Sequence, residues 1–282
     1  WTAEKGGRLE GVGASDEPAS HNSPKIRAAT LTEIQQIITE HVEAVIRARK
    51  AGFDMVEFMA GIGYFLSRFL SSRSNQRIDA YGGNLENRTK ILLEIIEKTR
   101  QEVGSDYAIS CRISADEFVE GGNTLTDTRQ IARMLEKAGI AAIDVEAGRH
   151  DSPKPLVQQW VAPGSYVYLA EEIKKEVQIP VISAYRIVDP SLAEEIVSSG
   201  KADFVGLVRA LIADPEFPNK AKKGQVKEIR RCIACCHCLD VAITFESLTC
   251  SINASVGKEL EPIKPVSQSR HILVIGGGPS GM

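Results

Sequence analysis

Met55-Val-Glu-Phe-Met59, followed at once by Ala60-Gly-Ile-Gly-Tyr64, reads as a buried strand whose carboxyl end turns through glycines. The same unit recurs on either side. Upstream, Thr30-Leu-Thr-Glu-Ile opens a helix in which Ile34, Ile37, Ile38, Val42, Val45 and Ile46 share one stripe; Gly52 ends it. Downstream, helices expected at about 84–103, 126–138, 166–177 and 190–199 precede strands at 108–114, 141–147, 180–184 and 204–208. Five strands alternating with helices specify a parallel α/β sheet, either open and doubly wound or closed as a (β/α)8 TIM barrel. Tyr64, Arg112, His150, Arg186 and Arg209 sit at or just past the carboxyl ends of successive strands, which gathers one site on one rim and favours the barrel. Eight strands are needed for closure, so about three are expected before Trp1: the first strands are missing. Residues 1–30, rich in Gly, Ser, Pro and Lys, read as a long loop.

Five of the six cysteines fall between residues 232 and 250. Cys232, Cys235 and Cys238 form C-x2-C-x2-C, and Cys250 follows after a gap. Three thiolates from one loop and a fourth from a separate segment suit a [4Fe–4S] cluster better than structural zinc, which more often takes two separated pairs. Zinc stays the alternative. Cys236 and His237 read as spare, with His237 available to a cluster sulfur. Beyond a Pro/Ser/Lys linker, Arg270-His-Ile-Leu-Val-Ile runs into Gly276-x-Gly278-x-x-Gly281, the expected first strand and turn of a Rossmann-like dinucleotide-binding domain. The expected domains are therefore 1–225, a partial barrel; 226–265, a cluster module and linker; and 266–282, the start of a FAD/NAD(P)-binding domain.

The 282 residues are 43% hydrophobic and 25% charged, an ordinary globular composition. A net charge of −3 gives no reason to expect a nucleic-acid or membrane partner. No apolar run approaches the roughly 18 residues of a membrane span. Cysteines gathered in a metal loop fit a reducing, cytoplasmic setting. Both ends, Trp1 and Met282, read as cut.

Gly61-x-Gly-Tyr-Phe-Leu-Ser-Arg-Phe-Leu70 and Ser74-Asn-Gln-Arg-Ile-Asp-Ala-Tyr-Gly-Gly-Asn-Leu-Glu-Asn-Arg88 resemble the Old Yellow Enzyme family of NADH:flavin oxidoreductases. With Arg112-Ile-Ser-Ala-Asp, Arg186-Ile-Val-Asp-Pro and the cysteine module, nearly the whole chain is similar to its multidomain branch, which includes 2,4-dienoyl-CoA reductase, 2-enoate reductase and trimethylamine dehydrogenase. The resemblance implies an FMN barrel, a [4Fe–4S] cluster, and FAD and NAD(P)H bound beyond it. It implies a small-molecule unsaturated substrate whose activated C=C is reduced. Tyr64 matches the family's proton-donating Tyr, His150 the His of the dienoyl-CoA reductases, Arg112 the Arg beside the flavin ring, and Arg186 and Arg209 the pair near the FMN phosphate, with Gly206 keeping that backbone accessible. Many relatives place polar residues at Met59 and Ile62 to hold a substrate oxygen; Met59 also occurs in the dienoyl-CoA reductase pattern, whereas Ile62 fits neither version.

Each residue also has a plain structural reading. Tyr64 could be core packing, His150 a solvated loop residue, and Arg112 an ion-pair partner of Asp116; Arg68, Arg73 and Arg77 read as solvated. The two alternatives to ene reduction are amine oxidation of the trimethylamine dehydrogenase type and a non-catalytic, zinc-stabilised binding module.

Overall fold

The computed structural model describes residues 2–5, 8–17, 25–244, 246–261, 269, 271 and 273–276. The chain divides into two compact units, Trp1–Cys236 and His237–Met282.

The amino-terminal residues are not one loop. β1 (Thr2–Lys5) pairs antiparallel with β2 (Arg8–Gly13), which pairs in parallel with β3 (Ile26–Ala28). The glycines that made this stretch read as loop have a steric role: a Cβ at Gly11 or Gly13 would meet Ile26 of β3 at 2.9 or 2.8 Å. Arg77 ties the small sheet down. Its Nη1 donates to the carbonyls of Ala14 and Ala29 at 2.9 and 2.7 Å, while Asp79 pairs with its Nη2 at 2.6 Å. Arg68 pairs with Glu17, so two of the three arginines expected to be solvated are structural; Arg73, half exposed beside Asp151, comes nearest to that expectation.

α1 (Leu31–Lys50) starts at a capping box. Thr30 Oγ1 accepts the Glu33 N–H at 3.2 Å, and Glu33 Oε2 accepts the Thr30 N–H at 2.8 Å. The Arg27 guanidinium, foremost among its partners, holds the Glu33 carboxyl down at about 2. The apolar stripe is buried as expected, with Ile46 packed at its edge.

There follow β4 (Met55–Ala60), α2 (Phe65–Leu70), α3 (Leu85–Val103), β5 (Ala108–Ser114), α4 (Leu125–Lys137), β6 (Ala142–Glu146), α5 (Val167–Lys174), β7 (Val181–Ser183), α6 (Pro190–Ser198), β8 (Phe204–Val205), α7 (Arg209–Ala213) and α8 (Phe217–Lys222). The strands form one parallel sheet in the order β4-β5-β6-β7-β8. Period-2 alternation gives it two unlike faces. Phe58, Ile109, Ile113, Ile143 and Val145 join Ile34, Ile91, Ile95, Ile131, Leu135 and Ile173 of the helices in one buried core. Alternate positions put Glu57, Arg112, Asp144 and Glu146 on the other face, where Met55 and Phe204 are 45% and 58% exposed. Helices on an apolar face and charges on the opposite one are the pattern of a barrel wall rather than of a sheet covered on both sides. Among the described residues β4 and β8 are edges, and the strand expected over 204–208 stops at Val205.

The unit boundary at Cys236 falls inside the expected 226–265 module, because residues before it pack back on the barrel: the Arg230 N–H donates to Asp214 Oδ2 at 2.9 Å, and Ile229 is buried with Phe217. The second unit holds α9 (His237–Ile243). Of the expected strand 270–275, residues 270 and 272 lie outside the described residues; among the described ones Leu273, Val274 and Ile275 are exposed and carry no strand pairing. Gly276 has φ +116°; Gly278 and Gly281 lie outside the described residues. No described helix is long and apolar enough to cross a membrane.

Candidate active site

The turn after β4 is stitched to the turn after β6. Ile62, at φ +46°, donates its N–H to Ser114 Oγ at 2.8 Å, and that hydroxyl donates to the Gly148 carbonyl at 2.8 Å. The His150 N–H donates to the Ile62 carbonyl at 3.3 Å, beside a parallel bridge between Ile62 and Arg149. A left-handed backbone at a β-branched residue is costly, and these bonds hold it there. Tyr64 caps α2 next door and lies edge-on to the His150 ring, with centroids 5.1 Å apart and planes at 77°. Both side chains reach solvent, Tyr64 being 47% exposed. Desolvation, with help from Arg149 and Arg68 and against Asp151, keeps the His150 imidazole below its usual pKa, hence neutral at physiological pH. Behind it Arg149 is buried and paired with Asp151 at 3.0 Å and Glu117 at 3.7 Å.

Arg112 lies on the charged face of β5, in register with Met59 of β4 and Asp144 of β6. Its partner is not Asp116. Nε lies 3.0 Å from Glu57 Oε1, Nη2 2.6 Å from Asp144 Oδ2 and Nη1 3.3 Å from Glu146 Oε1, whereas Asp116 Oδ1 accepts the Phe118 N–H. A strand residue meets its cross-strand neighbours; Asp116 lies past the strand end and turns away. Desolvation works against the guanidinium charge, but the three carboxylates outweigh it and raise the Arg112 pKa. Burial, opposed by Arg112, pushes Asp144 up to about 6 and Glu146 up to about 7. Asp144 Oδ1 and Glu146 Oε2 are buried without a hydrogen-bond partner.

After β7 the chain makes two consecutive left-handed residues, Tyr185 at φ +75° and Arg186 at φ +56°. The turn buries Arg186, whose Nε donates to the Val161 carbonyl at 2.9 Å while Nη1 is left buried and unpartnered. Desolvation and the neighbouring Arg209 cation both lower its pKa. Arg209 starts α7 and donates to the Val157 carbonyl at 2.8 Å. Two mutually repelling guanidinia with an orphaned Nη1 fit an anionic group such as the FMN phosphate. Gly206 is not demanded by packing, since a Cβ there would make ordinary contacts with Ala184 and Ile182 at 3.5 and 3.6 Å.

The cysteines fall in two groups. In the first unit the Ala234 N–H points to Cys232 Sγ at 3.4 Å, and Cys236 Sγ lies 3.8 Å from the Val157 carbonyl and 3.9 Å from Arg209 Nη1; Cys235 is exposed. In the second, Cys238 is buried on α9 and Cys250 half-buried. His237 Nε2 meets Thr249 Oγ1 at 2.9 Å. Among the described residues no three of His, Cys, Asp and Glu stand together as a metal cage. The donor set fits a thiolate-bound cluster in kind, with an N–H to sulfur already in place.

Residues 2–228 match the model of the NADH:flavin oxidoreductase / NADH oxidase family. The chain belongs to that family. It is 46% identical over 280 residues to an NADH oxidase of Thermoanaerobacter brockii, covering 97% of this chain and 43% of the relative. A 2-naphthoyl-CoA reductase in complex with 2-naphthoyl-CoA superposes with TM-score 0.94 at 34% identity, over 99% of this chain and 44% of that one. Histamine dehydrogenase from Rhizobium sp. 4-9 superposes with TM-score 0.85 at 29% identity, over 96% and 40%. The chain thus spans less than half the length of these relatives. Family membership gives the chain the TIM-barrel α/β fold of a family described as NADH:flavin oxidoreductases.

Sequence reasoning named Tyr64, His150, Arg112, Arg186 and Arg209, and the structure brings Tyr64 and His150 together on one rim. It missed Glu57, Asp144, Glu146, Ser114 and Ser183. The first three carried a readable signal, a carboxylate at alternate positions of an apolar strand. Ser183, whose Oγ is buried and unpartnered at the end of β7, carried none.

Proposed function

We propose that the chain is the FMN-binding part of an enzyme that uses NAD(P)H to reduce a small molecule's activated C=C bond, of the enoate or 2,4-dienoyl-CoA type. The observation that carries this reading is the Tyr64–His150 pair on the rim. Hydride addition to an alkene conjugated to a carbonyl or thioester develops an enolate, and its α-carbon needs a proton. Tyr64 supplies that proton, and the neutral His150 ring fixes the phenol's direction. Arg112 would serve the ring of a bound flavin, where charge builds on reduction. Arg186 and Arg209 hold the phosphate, with Gly206 beside them. When bound, FMN supplies the hydride, and a [4Fe–4S] cluster on Cys232, Cys235, Cys238 and Cys250 supplies one-electron transfer. Gly276, Gly278 and Gly281 open a domain for FAD and NAD(P)H.

The deciding experiment mixes NADH-reduced, oxygen-free full-length enzyme with a 2-enoyl thioester and follows the flavin band. Return of the oxidised band supports ene reduction. The likeness to histamine dehydrogenase favours a second reading, amine oxidation. Bleaching of oxidised enzyme by a primary, secondary or tertiary amine, with no reoxidation by any enoyl thioester, would establish that reading instead. A colourless protein holding one zinc would replace both with a binding module.

A further inference from the structure

Proton donation by Tyr64 makes no use of Glu146, which ends β6 beside Arg112 of β5. We infer that Glu146 is the redox-linked proton acceptor of the site: it takes up one proton when negative charge arrives beside Arg112 and releases it when that charge leaves. The inference rests on the flavin reading above.

Three carboxylates, Glu57 from β4 and Asp144 and Glu146 from β6, converge on one guanidinium from β5. Fully ionised, the group carries a surplus of negative charge in a desolvated place, and any added negative charge worsens it. The three contacts are graded. Asp144 is held at 2.6 Å, Glu57 at 3.0 Å and Glu146 at 3.3 Å, so Glu146 sacrifices least on protonation. Its side chain is 8% exposed, and Oε2 is buried with no partner, a position for a proton. That oxygen lies against the Gly61 backbone: a Cβ on Gly61 would stand 2.7 Å from it and 3.4 Å from Ser114 Oγ. Gly61 therefore leaves free the space in front of Oε2. Across the sheet the Tyr185 phenol faces the same carboxyl, and burial followed by the Glu146 charge raises its pKa, so the phenol stays neutral. Burial, opposed by Arg112, pushes the Glu146 carboxyl up to about 7, within reach of protonation near neutral pH.

Charge and protons balance. Two electrons relayed to a bound flavin, with one proton from solvent, would leave a net gain of one negative charge beside Arg112, and a second proton from solvent would bind Glu146. When that charge leaves as hydride to the alkene, the proton on Glu146 would go back to solvent. The proton added to carbon comes from Tyr64, which is recharged from solvent.

The test is the pH dependence of the two-electron midpoint potential of the FMN in the full-length enzyme, between about pH 5 and 9. Each extra proton taken up steepens the slope by about 30 mV per pH unit, the two-electron equivalent of a tenfold change. Wild type should show this extra slope above about pH 7, Glu146→Gln should lack it, and Glu146→Asp should keep it. Equal slopes in wild type and Glu146→Gln overturn the inference. A protein that binds no flavin defeats the functional reading and is recognised by its missing absorbance. Infrared pH titration of that protein, with 13C-glutamate to set it apart from Asp144, then decides alone. A glutamic-acid carbonyl band that disappears as pH rises through about 7 supports proton storage; its absence overturns it. The same titration decides if neither variant folds.

Discussion

The Ile62 N–H donates to Ser114 Oγ, which joins the turn that carries Tyr64 to the end of the strand that carries Arg112. Phenol and guanidinium thus belong to one hydrogen-bonded frame, although 48 residues separate them in sequence (112 − 64). Packing that precise favours a proton donor placed against a reacting group over a tyrosine that merely fills space.

Tyr64→Phe removes the acid and keeps the ring against His150. Flavin reduction by NAD(P)H should be almost unchanged, and the oxidative half-reaction with an enoyl substrate about 10²–10⁴-fold slower. Stopped-flow absorbance separates the two. Slowing confined to reduction by the nicotinamide removes Tyr64 from the role.

Arg186→Ala deletes the guanidinium whose Nη1 is buried and unpartnered. Loss of one charge-assisted bond to phosphate corresponds to roughly 10–100-fold weaker FMN retention. Flavin and iron are measured on the same sample: flavin should fall and iron should not. Parallel loss of both indicates unfolding. Arg209→Ala should behave in the same way.

Cys236→Ser should keep iron and sulfide near the wild-type content, because that thiol already meets the Val157 and Ala234 carbonyls. Cys235→Ser should lose them. The opposite pattern overturns the ligand assignment drawn from the C-x2-C-x2-C spacing.

Thr30→Ala removes the α1 cap and should lower stability by about 1 kcal/mol in urea unfolding. Glu33 adds a pH signature. Its folded pKa, about 2, lies below the ordinary 4.5, so its contribution is complete above that ordinary value and is lost as pH falls toward about 2. Glu33→Gln should therefore cost stability at neutral pH and progressively less in acid.

Where a helix or strand follows its own periodicity, the sequence was enough: the α1 stripe and the β5 strand stand where expected, and of Thr30 and Thr32, either of which could cap α1, the structure uses Thr30. The elements missed are short ones, α2, α7 and α9, whose five to seven residues complete too few turns to show a 3.6-residue period. β1 to β3 escaped for another reason. Their glycines answer to Ile26 across the ladder, a contact invisible until the strands pair. At the site, residue types at strand ends were legible because a barrel's geometry sends them to one rim. Which carboxylate meets Arg112 was not, since that depends on the register between β4, β5 and β6.

The Arg77 clamp also marks where the fold opens first. Two of the bonds that tie the small amino-terminal sheet to the loop after α2 end on a single guanidinium, at the Ala14 and Ala29 carbonyls. Amide exchange in β1 to β3 should therefore follow how long one guanidinium keeps its grip, and run ahead of exchange in the barrel wall.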